Sequence, residues 1–193
     1  MKVLPTEIPG VLVLEPTAYS DERGFLLEAF QLQRYREAGV SCDFVLDTHS
    51  RSRRGVVRGL HYQLVRPQAK LVRVVRGAVF DVVVDVRRGS PTFGKWVGTV
   101  LDDRQHRQVF VPVGFAHGFA VLSEEADFQY KCSDYYAPDD QHGIAWDDPE
   151  IGIAWPRELG DVVVSEKDRR NPRLSACPAQ DLPVYGAAGG CGA

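Results

Sequence analysis

The sequence predicts an all-β protein, a sandwich or barrel of short strands. Three observations carry that expectation. Apolar, β-branched runs recur, as in Ala78-Val79-Phe80-Asp81-Val82-Val83-Val84-Asp85-Val86, which is too β-branched to sit comfortably in a helix. Turn signals separate the runs: Arg76-Gly77, Arg88-Gly89-Ser90-Pro91, Asp102-Asp103 and Pro112-Val113-Gly114. Helical patterns are scarce beside them. Many short strands with frequent turns fit a sandwich or barrel.

In chain order, residues 11–14 form a short apolar run, and Arg23 and Glu28 bracket an apolar strand around Phe25. The clearest helix candidate covers 28–38, around Gln31-Leu32-Gln33-Arg34-Tyr35-Arg36-Glu37. Arg58-Gly59-Leu60-His61-Tyr62-Gln63 is strand-like. Strands are expected over 70–75, 78–86, 97–101, 108–111, 115–122 and 127–133. A short helix is expected after Ser165, where Ser165-Glu166-Lys167-Asp168 has the form of a capping start. No internal repeat and no long linker divides the chain. Residues 1–178 are therefore read as a single domain. Residues 179–193, ending Gly189-Gly190-Cys191-Gly192-Ala193, have little to bury and are expected to be a mobile tail.

At 193 residues the chain can bury a sizeable core, and 44% hydrophobic with 25% charged residues is ordinary for a soluble globular protein. A formal net charge of -3 supplies no global field for a nucleic-acid polymer. Basic residues cluster locally at Arg51, Arg53, Arg54, Arg58, Lys70, Arg73 and Arg76, either as a solvated face or as a site for an anion. Cys42, Cys132, Cys177 and Cys191 form no CxxC pair and read as free thiols of a reducing cytoplasm. No signal-peptide pattern opens the chain, and no apolar stretch reaches the length of a membrane span.

Chemistry concentrates around His61, which lies between Arg58 and Lys70. A titratable base beside fixed cations suits proton abstraction next to a carbonyl of an anionic substrate. Pro112-Val113-Gly114-Phe115-Ala116-His117-Gly118-Phe119 resembles the second motif of the cupin barrels. Metal-binding cupins carry a second histidine in their first motif, where this chain has Gln63. His61 and His117 alone fall short of the usual three protein ligands, so no metal is expected. In Asp127-Phe128-Gln129-Tyr130-Lys131-Cys132, the residues Phe128, Tyr130 and Cys132 share one strand face, which makes Tyr130 an interior tyrosine or a proton donor. Tyr136 is a packing residue or a wall for a sugar or base. Asp168 is an exposed helix-start carboxylate or the orienter of His61. Asp81 and Asp85 share a strand face and read as solvated.

Together these segments resemble the dTDP-4-dehydrorhamnose 3,5-epimerase family over roughly residues 3–174. The landmarks are Asp21-Glu22-Arg23-Gly24-Phe25, His49-Ser50-Arg51-Ser52, Gly55-Val56-Val57-Arg58-Gly59-Leu60-His61-Tyr62-Gln63, Gln68-Ala69-Lys70, Gly89-Ser90-Pro91-Thr92-Phe93-Gly94, the His117 segment, Tyr130-Lys131-Cys132 and Ser165-Glu166-Lys167-Asp168. The resemblance implies a cupin-type jelly-roll barrel with a few short peripheral helices, acting as a homodimer without metal or other cofactor. It implies a dTDP-sugar substrate, dTDP-4-dehydro-6-deoxy-D-glucose, inverted at C3 and C5. His61 then matches the base, Asp168 its orienting carboxylate, Tyr130 the proton donor and Lys70 the cation near the C4 carbonyl. Arg23, Phe25, Glu28, Arg58, Gln63, His117, Tyr136 and Lys167 match positions linked to substrate binding. The chain departs from the family pattern at Leu46, Thr48 and Gln141, and the first two changes each remove an amide. An epimerase acting at one carbon, in another dTDP-deoxysugar pathway, and a non-catalytic sugar-nucleotide-binding cupin stand as alternatives, as does a metal-dependent cupin.

Overall fold

The structure, a computed structural model, describes residues 1–186. In chain order its strands are β1 (Lys2–Pro5), β2 (Leu12–Glu15), β3 (Ala18–Asp21), β4 (Gly24–Leu27), β5 (Leu46–Arg53), β6 (Val56–Gln63), β7 (Lys70–Arg76), β8 (Ala78–Asp85), β9 (Trp96–Asp102), β10 (Gln108–Val111), β11 (Phe115–Val121), β12 (Glu125–Cys132), β13 (Gln141–Gly143) and β14 (Val163–Val164). Helix α1 (Leu32–Glu37) precedes β5, and α2 (Glu166–Arg169) follows β14. One sheet runs β1-β2-β10-β7-β12-β5 and the second β13-β6-β11-β8-β9. Strand β14 lies parallel to β6, whereas β3 and β4 pair only with each other. The all-β expectation holds, and the strands expected from the sequence appear with ends shifted by a residue or two.

The two large sheets face each other across a core of Val72, Val74, Val79, Val83, Leu101, Val109, Val111, Phe115, Phe119 and Phe128. Their outer faces are covered too. Leu60, Val82, Val84 and Ala116 pack under the C-terminal segment through Ile144, Leu174 and Leu182. Leu14, Leu71 and Phe110 pack with Tyr35 of α1. Burial on both faces is why β8 and β11 read as continuous apolar runs and not as alternating ones.

Several expectations need correction. The helix expected over 28–38 is six residues long, because the Gln31 side chain caps it by accepting the Arg34 N–H at 2.6 Å. Strand β5 gave no apolar signal, since its inward positions are Leu46, Thr48, Ser50 and Ser52. Asp81 and Asp85 are buried, not solvated. Asp85 is clamped by both arms of Arg87 (2.9 and 2.8 Å), by Ser90 Oγ (2.5 Å) and by Thr92 Oγ1 (2.6 Å). The tail expected to be mobile from 179 makes contacts with the rest of the protein as far as Tyr185. Asp181 accepts from the Tyr62 hydroxyl, Leu182 is buried, and the backbones of Pro183 and Tyr185 bond to Arg88. Residues 187–193 of that expected tail lie outside the described residues. Cys132 and Cys177 are free thiols as expected, but Cys42 is not.

Strands β6 and β11 approach unusually closely. Gly59 has φ +122, and a Cβ there would lie 2.5 Å from the Gly118 Cα. A Cβ on Gly118 would lie 2.6 Å from the Arg58 carbonyl oxygen. Gly118→Ala should therefore force the strands apart and cost about 1–3 kcal/mol, as overpacking does. Urea unfolding of the variant checks this; wild-type stability would refute the close-approach argument.

Candidate active site

A cavity of about 720 Å³ opens between the two sheets. From the second sheet, β6 sends Arg58, His61 and Gln63 toward it, and β11 sends His117. From the first sheet, β7 contributes Lys70 and β12 contributes Phe128, Tyr130 and Cys132, which share a strand face as expected. Leu46 and Thr48 of β5, Tyr136, Gln141, Lys167 and Asp168 complete the wall. His61 and Tyr130 thus come from opposite sheets.

His61 and Asp168 are 107 positions apart in sequence, and the Nε2–Oδ1 distance is 2.6 Å. The contact is built locally. Strand β14 adds to β6 in parallel, Val163 and Val164 opposite Val56 and Val57, and α2 begins at once. Ser165 caps α2 by accepting the Asp168 N–H at 3.1 Å. The Asp168 carboxylate also accepts the Gly59 N–H at 3.4 Å. Burial works to raise the Asp168 pKa, but the bonds from His61, Gly59 and Ser165 outweigh it, and the group lies below its ordinary value. An ionised Asp168 can only accept, so Nε2 carries the proton and the Nδ1 lone pair of His61 is left for the cavity.

The electrostatics of the wall are unbalanced. The Lys70 ammonium makes no hydrogen bond among the described residues, and burial pulls its pKa below the ordinary lysine value. Arg58 donates to Ser52 Oγ at 3.0 Å. The Lys167 ammonium donates to the Gln141 amide oxygen at 2.6 Å, and that same oxygen accepts from the Tyr136 hydroxyl at 2.8 Å. None of these three cations has a carboxylate partner among the described residues. Burial raises the Tyr130 pKa, which keeps its hydroxyl protonated at neutral pH. Burial likewise pushes the Cys132 thiol up to about 11, so it is a neutral wall and not a nucleophile.

Gln63 lines the cavity, but its amide is occupied elsewhere. It donates to the Arg66 carbonyl at 2.7 Å and accepts the Ala137 N–H at 3.0 Å, which fixes the loop that carries Tyr136. Arg23, Phe25 and Glu28 are not brought to this cavity. The β3–β4 hairpin carries Arg23 and Phe25 and pairs with neither large sheet, and Glu28 follows it directly. There Arg23 pairs with Asp21, Phe25 lies 4.4 Å from the His106 ring, and Glu28 pairs with Arg34. Sequence reasoning missed the Asp81 contact to His117, because an acid in an apolar strand gives no sign of which sheet face it meets. Among the described residues, no three His, Cys, Asp or Glu side chains converge as a metal site.

A family model described as dTDP-4-dehydrorhamnose 3,5-epimerase matches residues 5–176. A dTDP-4-dehydrorhamnose 3,5-epimerase of Pseudomonas aeruginosa is 52% identical over 171 residues, covering 88% of this chain and 94% of that protein. A dTDP-4-dehydrorhamnose 3-epimerase of Streptomyces niveus is 44% identical over 190 residues, covering 96% of this chain and 90% of that one. The crystal structure of a dTDP-6-deoxy-D-glucose-3,5-epimerase from Legionella pneumophila, in complex with dTDP-4-keto-L-rhamnose, superposes with a TM-score of 0.93 at 50% identity. It covers 96% of this chain and 99% of that one.

The lowered Asp168 pKa sets a pH dependence. The folded protein holds the group ionised where the unfolded chain, with its pKa near 4, has begun to protonate it. Its stabilising contribution is present above that unfolded value and is lost as pH falls through the folded one. Asp168→Asn should flatten the acid limb of stability below roughly pH 4. Urea melts across acid pH check this; an unchanged limb would refute it.

Proposed function

The chain belongs to the dTDP-4-dehydrorhamnose 3,5-epimerase family, and we propose that it converts dTDP-4-dehydro-6-deoxy-D-glucose to dTDP-4-dehydro-L-rhamnose. The carrying observation is a carboxylate-bound histidine on one sheet facing a half-buried tyrosine on the other, within a cavity walled by cations that lack carboxylate partners among the described residues. The hydrogens at C3 and C5 are both α to the C4 ketone, so removing either gives an enolate. His61 Nδ1 takes the proton, and Asp168 stabilises the resulting imidazolium. Lys70, a poorly solvated ammonium, faces the developing oxyanion and is worth most there, because water is largely excluded. Tyr130 then delivers a proton to the opposite face of the ring, which inverts the carbon. Arg58 and Lys167 hold the diphosphate end, His117 borders the sugar, and Tyr136 offers an aromatic wall. No electron leaves or enters the substrate in this scheme, so no redox cofactor is called for.

The same reading places Arg23, Phe25 and Glu28 in a homodimer. Tyr19, Phe25 and Leu26 of the β3–β4 hairpin are exposed by 68%, 60% and 74%. Such apolar exposure on a projecting hairpin marks an interaction surface. Strand β5 is an eight-residue sheet edge left open among the described residues, and its inward Leu46, Thr48 and Ser50 line the cavity. A second copy's hairpin lying along that edge brings its Arg23, Phe25 and Glu28 to the cavity mouth. No helix among the described residues is long and apolar enough to cross a membrane.

Proton NMR of dTDP-4-dehydro-6-deoxy-D-glucose in D₂O tests the activity. Deuterium at both C3 and C5 with formation of the L-lyxo sugar is expected. Exchange and inversion at C3 alone would instead favour a 3-epimerase, the activity in the name of the Streptomyces niveus relative. His61→Ala should lower turnover by at least about 10²-fold while the fold is kept. Tyr130→Phe should impair product formation more than the initial exchange; equal loss of both would assign Tyr130 to positioning only. Phe25→Asp should sediment as a monomer and raise KM roughly tenfold; a dimeric, fully active variant would refute the hairpin reading.

A further inference from the structure

His61 is one of two histidines in the cavity that are bound by a buried carboxylate. His117 on β11 is the direct register partner of His61 on β6, and both side chains line the same cavity. Cross-strand partners on one sheet face stand about 5 Å apart at Cβ. His117 Nε2 lies 2.8 Å from Asp81 Oδ2, with the two residues 6% and 1% exposed. The sheet builds this contact. Val83 of β8 is the register partner of His117, and Asp81, two residues earlier, shares its inward face. The remaining Asp81 oxygen has no hydrogen-bond partner among the described residues, so His117 is the group its charge chiefly meets. The His117 ring stacks on Phe128 at 6.2 Å, and Phe128 lies 6.0 Å from the Tyr130 ring.

A double inversion poses a problem that the first dyad leaves open. After one carbon is inverted, His61 holds the abstracted proton and Tyr130 is a phenolate. The second carbon of the same bound sugar needs a neutral His61 and a protonated Tyr130. We propose that His117, oriented by Asp81, is the proton carrier that resets this pair between the two inversions. The proposal rests on the 3,5-epimerase reading. The proton passes from His61 Nδ1 to His117 Nδ1, directly or through one water, while the Asp81 carboxylate neutralises the imidazolium. His117 then gives it up through water to the Tyr130 phenolate. No electrons move, and the enzyme returns to its starting state. The charged and titratable groups around His117 compete over that proton. Arg58 of β6, Lys70 of β7 and Lys167 of α2 oppose a positive charge in the cavity. Asp81 of β8, in contact, favours it, and so does Asp168 at longer range. His61 of β6 and Tyr130 of β12 are the exchange partners, and Cys132 of β12 stays neutral. Asp81 is a positioning residue in this scheme, since it acts through His117.

Rapid-quench single-turnover reactions in D₂O, analysed by NMR, test the proposal with wild type, Asp81→Asn and His117→Ala. In Asp81→Asn, deuterium entry at the second carbon should slow about tenfold more than at the first, so that singly inverted sugar accumulates. In His117→Ala, added imidazole should restore the second inversion, a rescue that a purely structural role would not give. If Asp81→Asn does not fold, the imidazole rescue alone decides. An unchanged ratio of singly to doubly inverted sugar in folded Asp81→Asn overturns the proposal. So does equal loss of both exchanges in His117→Ala without rescue. Failure of the underlying reading is visible separately, because wild type would then exchange at one carbon or at neither, and the relay would fall with it.

Discussion

The site depends on how closely β6 and β11 can run together. Two glycines, Gly59 and Gly118, face each other where any side chain would collide with backbone. That contact sets His61 and His117 opposite one another in register. It also leaves the Gly59 N–H open to the Asp168 carboxylate. Without it, β14 and α2 could still dock on β6, but the carboxylate would meet a displaced histidine. In the role proposed for it, the 2.6 Å contact tolerates little displacement, since misplacement of about 1 Å can cost on the order of 10²-fold in rate.

A second constraint is the handling of charge in a barrel that is otherwise apolar. The buried acids all have partners: Asp168 has His61, Asp81 has His117, Asp85 has Arg87, Ser90 and Thr92, Asp127 has Arg51, and Asp148 accepts the Glu150 and Leu174 N–H groups. The cations of the cavity wall, Arg58, Lys70 and Lys167, have no acid of their own among the described residues. Three unmatched cations line the cavity against one lining carboxylate, Asp168, so the local charge is positive although the whole chain carries a formal charge of -3. That separation of local from global charge is what an anionic sugar nucleotide requires. Gln141 adds to it, because a neutral amide holds Lys167 in place without cancelling its charge.

What the sequence showed follows from the same physics. Strands with an apolar inner face and an apolar outer face announce themselves, so β7, β8, β10, β11 and β12 were legible. Strand β5 was not, because its inward positions after Leu46 are the hydroxyl residues Thr48, Ser50 and Ser52, the first two of them lining the cavity, and so carry no hydrophobic period. The helix start at Ser165 was readable from its cap, which placed Asp168 correctly on the chain. That Asp168 meets His61 came from resemblance, since no local signal spans 107 positions. Asp81 was misjudged for the converse reason: the period of two fixes which residues share a face, not whether that face looks inward.

The location of Arg23, Phe25 and Glu28 completes the physical account. Residues matched to a binding site but held outside the chain's own cavity look contradictory only if the site belongs to one copy. Their hairpin pairs with neither large sheet and exposes three large apolar side chains. The cavity, for its part, is bordered by a strand with one unpaired edge. Each feature is costly alone: an open edge invites unwanted pairing, and exposed apolar area forgoes burial. In the dimer proposed above they meet across a twofold axis and remove both costs at once, because an isologous contact uses the same two surfaces twice. In the homodimer proposed above, the partner's hairpin covers the mouth of each cavity, and the water it displaces is water that could otherwise quench the enolate before protonation from the opposite face.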